Sequence, residues 1–146
     1  MGEVQLPSGA LLDGSRALDD AECRSLLGTV SVGRLGLTAG ALPAIVPVPF
    51  ALHGGAVVIP TRTGSPLLPA VRGAVVAFAA DSYRPGDLGG WAVNVVGPAR
   101  LVADPAEADV LAGSRLFPEA LTTGCCFLSV RIGLLAGWRV GGDGPR

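Results

Sequence analysis

The run from Leu35 to Thr61 carries no formally charged side chain, yet it contains Pro43, Pro47, Pro49 and Pro60. It is apolar enough to require burial. It cannot be helical, because each interior proline removes a backbone donor and collides with the preceding turn. No uninterrupted apolar stretch reaches the roughly 20 residues that a membrane-spanning helix needs. What remains is extended chain, and the prolines suit an edge or a bulge better than a central strand.

The flanking sequence continues the strand pattern. Residues 31–38 alternate with period two: Val32, Arg34, Gly36 and Thr38 face one way, Leu35 and Leu37 the other. Ala39-Gly40-Ala41 reads as a turn, and 42–52 as one long extended piece. His53-Gly54-Gly55 reads as a hairpin turn and 56–61 as the return strand. After a polar loop, 66–71 has room for one or two helical turns. Residues 74–80 predict a buried strand, and 91–102 a further strand with a bulge at Gly97-Pro98. Residues 125–140 predict a last long strand or strand pair, broken near Gly133 and Gly137. Two helices are expected. One spans 18–28, with Asp19 or Asp20 as cap, Gly28 as stop, and Cys23, Leu26 and Leu27 on one face. The other starts at Asp104-Pro105 and runs to about Phe117. Residues 1–17 read as a flexible arm, 18–140 as a single domain, and 141–146 as a disordered tail.

About six strands joined mostly by hairpin-length loops, with one helix before the sheet and one before the last strand, predict a mainly β protein. The expected architecture is a small antiparallel barrel with peripheral helices.

Composition narrows function. Eleven basic residues, all Arg, stand against 12 acidic ones, for a net charge of −1. With no basic run, a nucleic-acid partner is not expected. The absence of Lys rules out a P-loop, and no G-x-S-x-G is present. A lone His53, in a turn, builds no triad. Cys23, Cys125 and Cys126 form no zinc set and read as reduced, mostly buried thiols of a cytoplasmic protein. Asp81, Asp87, Glu107 and Asp109 read as solvated acids. Mean hydropathy of +0.52 is high for a small chain and favours a homo-oligomer that buries apolar surface. One segment carries site chemistry: Thr61-Arg62-Thr63-Gly64-Ser65. It sets three hydroxyls and a guanidinium between a strand and an expected helix start, which are the parts of an anion cradle.

Segment order adds a second reading. In sequence come Val32-Gly33-Arg34-Leu35, then Leu42 through Phe50, a Gly-Gly hairpin, and Thr-Arg-Thr-Gly-Ser. Next are Ala74 to Phe78, Gly90-Trp91-Ala92-Val93-Asn94, and finally Val130-Arg131-Ile132 before Gly137-Trp138-Arg139. From about Asp19 to Val140 the chain resembles the pyridoxamine 5′-phosphate oxidase-like family of FMN-binding split-barrel flavoproteins. The resemblance implies a six-stranded antiparallel split β-barrel that dimerises, with FMN in a groove at the dimer interface. Pro47, Val48, Pro49 and Phe50 would run along the flavin ring. Arg62 would supply charge to the phosphate, Thr61, Thr63 and Ser65 hydroxyl donors, and Trp91 would lie near the ring or the interface. A flavin-dependent oxidoreductase acting on a small molecule is implied, with no catalytic acid or base assigned and no metal.

The chain departs from the family pattern twice. Pro66 stands where a Lys often follows the loop Ser, and Pro49 stands where Asn or Ser is common. Arg62 would then carry the phosphate charge nearly alone, and oxidation of pyridoxamine phosphate itself is not expected. A flavin-free binding module is the alternative reading, and a deazaflavin or haem in the same groove is a third. For haem, His53 would be the only histidine ligand.

Overall fold

The computed structural model describes residues 15–87 and 89–141. Residues 1–14 of the expected arm and 142–146 of the expected tail lie outside the described residues. Arg16–Ala17 form a short strand, β1, and Asp20–Leu27 form α1. Asp19 is the cap. Its carboxylate accepts from the Glu22 N–H at 2.8 Å, while the Glu22 carboxylate accepts from the Asp19 N–H at 3.3 Å. Two donors that the first turn leaves orphaned are thereby satisfied. Gly28 ends the helix, and Cys23 and Leu27 are buried beneath it.

Strands β2 (Val32–Ala39) and β3 (Leu42–Pro49) pair antiparallel, with Val32 opposite Pro49 and Ala39 opposite Leu42. The prolines of β3 decide which way this hairpin can face. Beyond its last paired residue the Phe50 N–H donates to the Ser31 carbonyl at 3.1 Å. Successive N–H groups of a strand point to opposite sides, so even-numbered residues of β3 bond to β2. Pro43, Pro47 and Pro49 are all odd-numbered, so no ladder bond is lost and no further strand can add there. β3 is an edge, as its prolines predict.

Residues 42–52 are two strands rather than one. At Phe50 the chain leaves β2 and continues as β4 (Ala51–His53), which pairs with β5 (Ala56–Arg62). The cause lies in the core: the Phe50 ring is buried edge-on against Phe78, with centroids 4.6 Å apart. Helix α2 (Leu67–Val71), β6 (Val75–Tyr83), β7 (Gly90–Leu101), α3 (Pro105–Gly113), α4 (Glu119–Thr122), β8 (Cys125–Arg131) and β9 (Leu134–Val140) follow. The hydrogen-bonded order is β3-β2-β6-β7-β8-β5-β4, with β9 on β7 and β1 on β9, antiparallel throughout. This is the split barrel: β3/β4 closes the sheet onto β5 at one end and diverges from it at the other.

β7 organises the opposite wall. It pairs with β9 from Gly90 to Val96 and with β8 from Ala99 to Leu101, while β6 runs unbroken along its other side. Gly97 marks the exchange. In place of the expected bulge, the strand stays continuous and crosses so close to β8 that a Cβ on Gly97 would lie 1.7 Å from the Arg131 carbonyl. The break expected near Gly133 is the loop between β8 and β9. None occurs at Gly137, which lies inside β9 opposite Val93. The helix expected to reach Phe117 stops at Gly113, with Ser114 as its cap and Arg115 in a left-handed conformation.

Leu35, Val57, Ile59, Phe78, Val93, Val95, Leu128 and Val130 fill the barrel interior. A second cluster, Val58, Val102, Leu111 and Phe127, lies under α3 on the other face of β5 and β8. Both faces of β5 are therefore buried, which explains its unalternating Val57-Val58-Ile59. Among the described residues, no helix is long and apolar enough to cross a membrane.

Gly97→Ala is expected to destabilise the fold by about 1–3 kcal/mol, because β7 and β8 must separate to admit the methyl group. Denaturant unfolding of the two proteins measures this, and a change below ~0.5 kcal/mol would mean that the crossing is not tight.

Candidate functional site

Where β3 diverges from β5, a groove of about 990 Å³ opens. This is within the range of about 300–1,000 Å³ usual for small-molecule sites. Val46, Pro47, Val48 and Pro49 form one wall, together with Leu37, Ala39 and Ala44. Pro60, Thr61, Arg62, Thr63, Ser65, Pro66, Leu67 and Ala70 form the other. Ala120, Leu121, Thr123, Gly124 and Cys125 close one end.

The 61–65 segment is held by a tight turn. The Ser65 N–H donates to the Arg62 carbonyl at 3.1 Å. Gly64, with φ +82°, occupies the third turn position, where a positive φ is required. The Ser65 hydroxyl then accepts from the Leu67 N–H at 3.2 Å, and the Ser65 carbonyl accepts from the Leu68 N–H at 3.1 Å. These bonds correct one expectation. The helix that follows is a single turn capped by Pro66, and its first N–H groups are already bonded to Ser65. Anion recognition here rests on side chains, not on a helix end. The Ser65 hydroxyl proton is still free to donate. The Thr63 hydroxyl instead donates to the Gly124 carbonyl at 3.5 Å, tying the loop to the turn before β8.

Electrostatically the groove is simple. Among the described residues Arg62 is the one charged residue in its lining, and no carboxylate is present there. Arg62 has no ion-pair partner among the described residues, whereas Arg16, Arg24, Arg84 and Arg100 are paired with Glu22, Asp20, Asp87 and Glu107. Cys125 stands opposite Arg62 across the β5–β8 pair. Burial, reinforced by neighbouring Cys126, pushes its thiol above the usual range, so it stays protonated at neutral pH. No group of metal ligands occurs among the described residues. His53, at the end of β4, is exposed and not part of the lining, so it is not placed to ligate a haem there.

Seven of the nine residues singled out from sequence meet in the groove: Pro47, Val48, Pro49, Thr61, Arg62, Thr63 and Ser65. Phe50 and Trp91 do not. Phe50 is an interior ring, 2% exposed, because it anchors the strand where it changes partner. Trp91 shares strand parity with Val93 and Val95 and so faces the barrel core, at 6% exposure. The end wall from Ala120 to Cys125 is invisible to sequence reasoning, since some 60 residues separate it from the loop it meets. Cys125 was the only signal there, and its pattern pointed to an ordinary thiol.

A second surface lies beside the groove. One row across five strands reads Ile45, Gly36, Ala77, Val96 and Leu134, and the next reads Pro47, Arg34, Ala79, Asn94 and Ala136. Ile45, Val75 and Val32 on this face are 75%, 69% and 57% exposed. Pro47 and Pro49 belong to this face and to the groove wall alike.

The profile of the pyridoxamine 5′-phosphate oxidase family matches residues 19–120. The chain is 42% identical over 93 residues to an uncharacterized protein of Mycobacterium tuberculosis, Rv0080. That match covers 60% of this chain and spans about 61% of the length of that curated relative. Among solved structures, the FAD binding protein from Mycobacterium smegmatis superposes with a TM-score of 0.73 at 28% identity. The match covers 86% of this chain and 98% of that one. A FAD-binding protein from Mesorhizobium loti shares the fold, with a TM-score of 0.71 at 21% identity over 87% of this chain and 99% of that one.

The raised Cys125 pKa predicts slow alkylation. At pH 8 its rate with iodoacetamide should fall below that of free cysteine and keep rising past pH 9, since the thiolate is the reacting species. Peptide-resolved mass spectrometry separates Cys125 from Cys126. A rate at pH 8 equal to that of free cysteine would contradict the burial.

Proposed function

Because the chain belongs to the pyridoxamine 5′-phosphate oxidase family and has the split-barrel fold of flavin-binding proteins, we propose that its groove holds a flavin nucleotide. The observation that carries this is the pairing of an apolar cleft with one cation that has no partner among the described residues. A flat, largely apolar ring suits the Val46 to Pro49 wall. The phosphate suits Arg62 and the free hydroxyls of Thr61 and Ser65. FMN is the smallest ligand that satisfies both ends. FAD contains the same unit, and the M. smegmatis relative is named for binding it.

When bound, the flavin accepts or donates a hydride, which makes a flavin-dependent oxidoreductase on a small molecule the best-supported activity. The chain's own share is binding, orientation and exclusion of water. The lining offers a guanidinium, hydroxyls and one protonated thiol, and no carboxylate or imidazole to act as acid or base. A phosphorylated substrate would compete for the single cation, so an unphosphorylated one is favoured.

The sheet face, apolar apart from Arg34 and Asn94, supports a homodimer. It joins the groove through Pro47 and Pro49, so a second copy seated on it would border the cofactor. Pro66 favours a second reading, a flavin-free barrel that serves as an interaction module, because it leaves the loop with only one cation.

Purified protein incubated with FMN or FAD and then desalted should retain flavin absorption near one equivalent per chain. Arg62→Ala should weaken affinity roughly ten- to a hundredfold, from the loss of about 1.5–3 kcal/mol of charged hydrogen bonding. No retention of either flavin supports the interaction module instead. Light scattering should give a dimer mass, and Val75→Glu should shift it toward monomer. A wild-type monomer at micromolar concentration would remove the dimer.

A further inference from the structure

The β3 wall of the groove has an unusual hydrogen-bonding character. Even-numbered residues of β3 bond to β2, as the Phe50 to Ser31 bond fixes. The N–H and C=O groups of residues 43, 45, 47 and 49 therefore point away from β2, along the free edge. Three of these four are prolines. Over Pro47–Pro49, within the stretch of β3 that lines the groove, two carbonyls face outward and no N–H does, and the Ile45 N–H is the one donor on that edge. At Pro47–Pro49 the edge can accept hydrogen bonds and cannot donate them.

This matters for a flavin, whose central ring nitrogen changes role on reduction. Oxidised, N5 is an acceptor. Two electrons and a proton turn it into an N–H donor. A buried acceptor facing other acceptors is left unpaired, whereas a donor there is satisfied. Resting on the flavin reading above, we propose that the prolines of β3 make the groove bind reduced flavin more tightly than oxidised flavin. Tighter binding of the reduced form raises the midpoint potential of the bound cofactor. A tenfold preference corresponds to about 30 mV for a two-electron couple.

The test is an anaerobic comparison on the full chain. Oxidised FMN and dithionite-reduced FMN are titrated separately, and the potential of the bound flavin is measured against a reference dye. We expect roughly tenfold tighter binding of the reduced form and a rise of about 30 mV. Pro49→Ala and Pro47→Ala restore an N–H on the groove side without touching the β2 ladder, and should shrink the preference severalfold. Pro43→Ala lies on the same edge but outside the groove, and should leave it unchanged. A probe that needs no variant is 5-deazariboflavin 5′-phosphate, in which carbon replaces N5. Its oxidised form should bind more tightly than oxidised FMN. Equal affinity for both redox forms overturns the proposal while leaving the flavin reading intact, as does a shift in Pro43→Ala as large as in Pro49→Ala. Binding of neither form overturns both.

Discussion

Everything functional in this chain follows from a strand that changes partner at Phe50. Up to Pro49 it hydrogen-bonds to β2, and from Ala51 it hydrogen-bonds to β5. The exchange is held by the Phe50 ring, locked edge-on against Phe78 in the middle of the barrel. Were the strand to stay on one partner, either the barrel would close along its full length or the sheet would lie open. Changing partner leaves the interior sealed and one seam parted. The groove is that seam. It is lined by the inner side chains of β2 and β3 and by the loop that leaves β5, so its apolar wall and its cation come from opposite banks.

The charge distribution suits such a cleft. Arg16, Arg24, Arg84 and Arg100 are each neutralised by a nearby carboxylate, but among the described residues Arg62 is not, and no acid shares its lining. Arg62 is exposed to solvent, which screens it, so its preference for an anion rests on the absence of a competing acid in the described lining. The same economy bears on chemistry. Among the described residues of the lining there is no carboxylate or imidazole, so the groups on hand are a guanidinium, hydroxyls and a thiol. The proline edge contributes twice: it stops β3 from recruiting another strand, and it fixes which ligand atoms that edge can pair with.

Much of this was legible in the linear chain, for local reasons. The cap at Asp19, the alternation of β2, the Gly54-Gly55 turn and the edge character of β3 each depend on residues within a few positions of one another. The segment order carried the family resemblance, and with it the split barrel and the Thr61 to Ser65 loop. Two of the residues singled out lie outside the groove lining. Phe50 continues the Pro47 to Pro49 wall in sequence, but the change of partner turns its ring inward. Trp91 opens a strand whose parity faces the core. In the same loop, the hydrogen bonds of Ser65 to the start of α2 removed the helix-end donors that the sequence suggested.

The sequence by itself determined that the chain is extended, antiparallel and proline-edged, because dihedral restriction and period-two burial act between near neighbours. It also named the cation and the hydroxyls of the loop. Only the tertiary structure decided that β3 and β5 part where they do, that the Ala120 to Cys125 segment closes the groove, and that Arg62 has no acidic partner among the described residues. Those outcomes depend on contacts between segments far apart in the chain. Their geometry is set by how Phe50, Phe78 and Gly97 pack, and periodicity alone does not encode it.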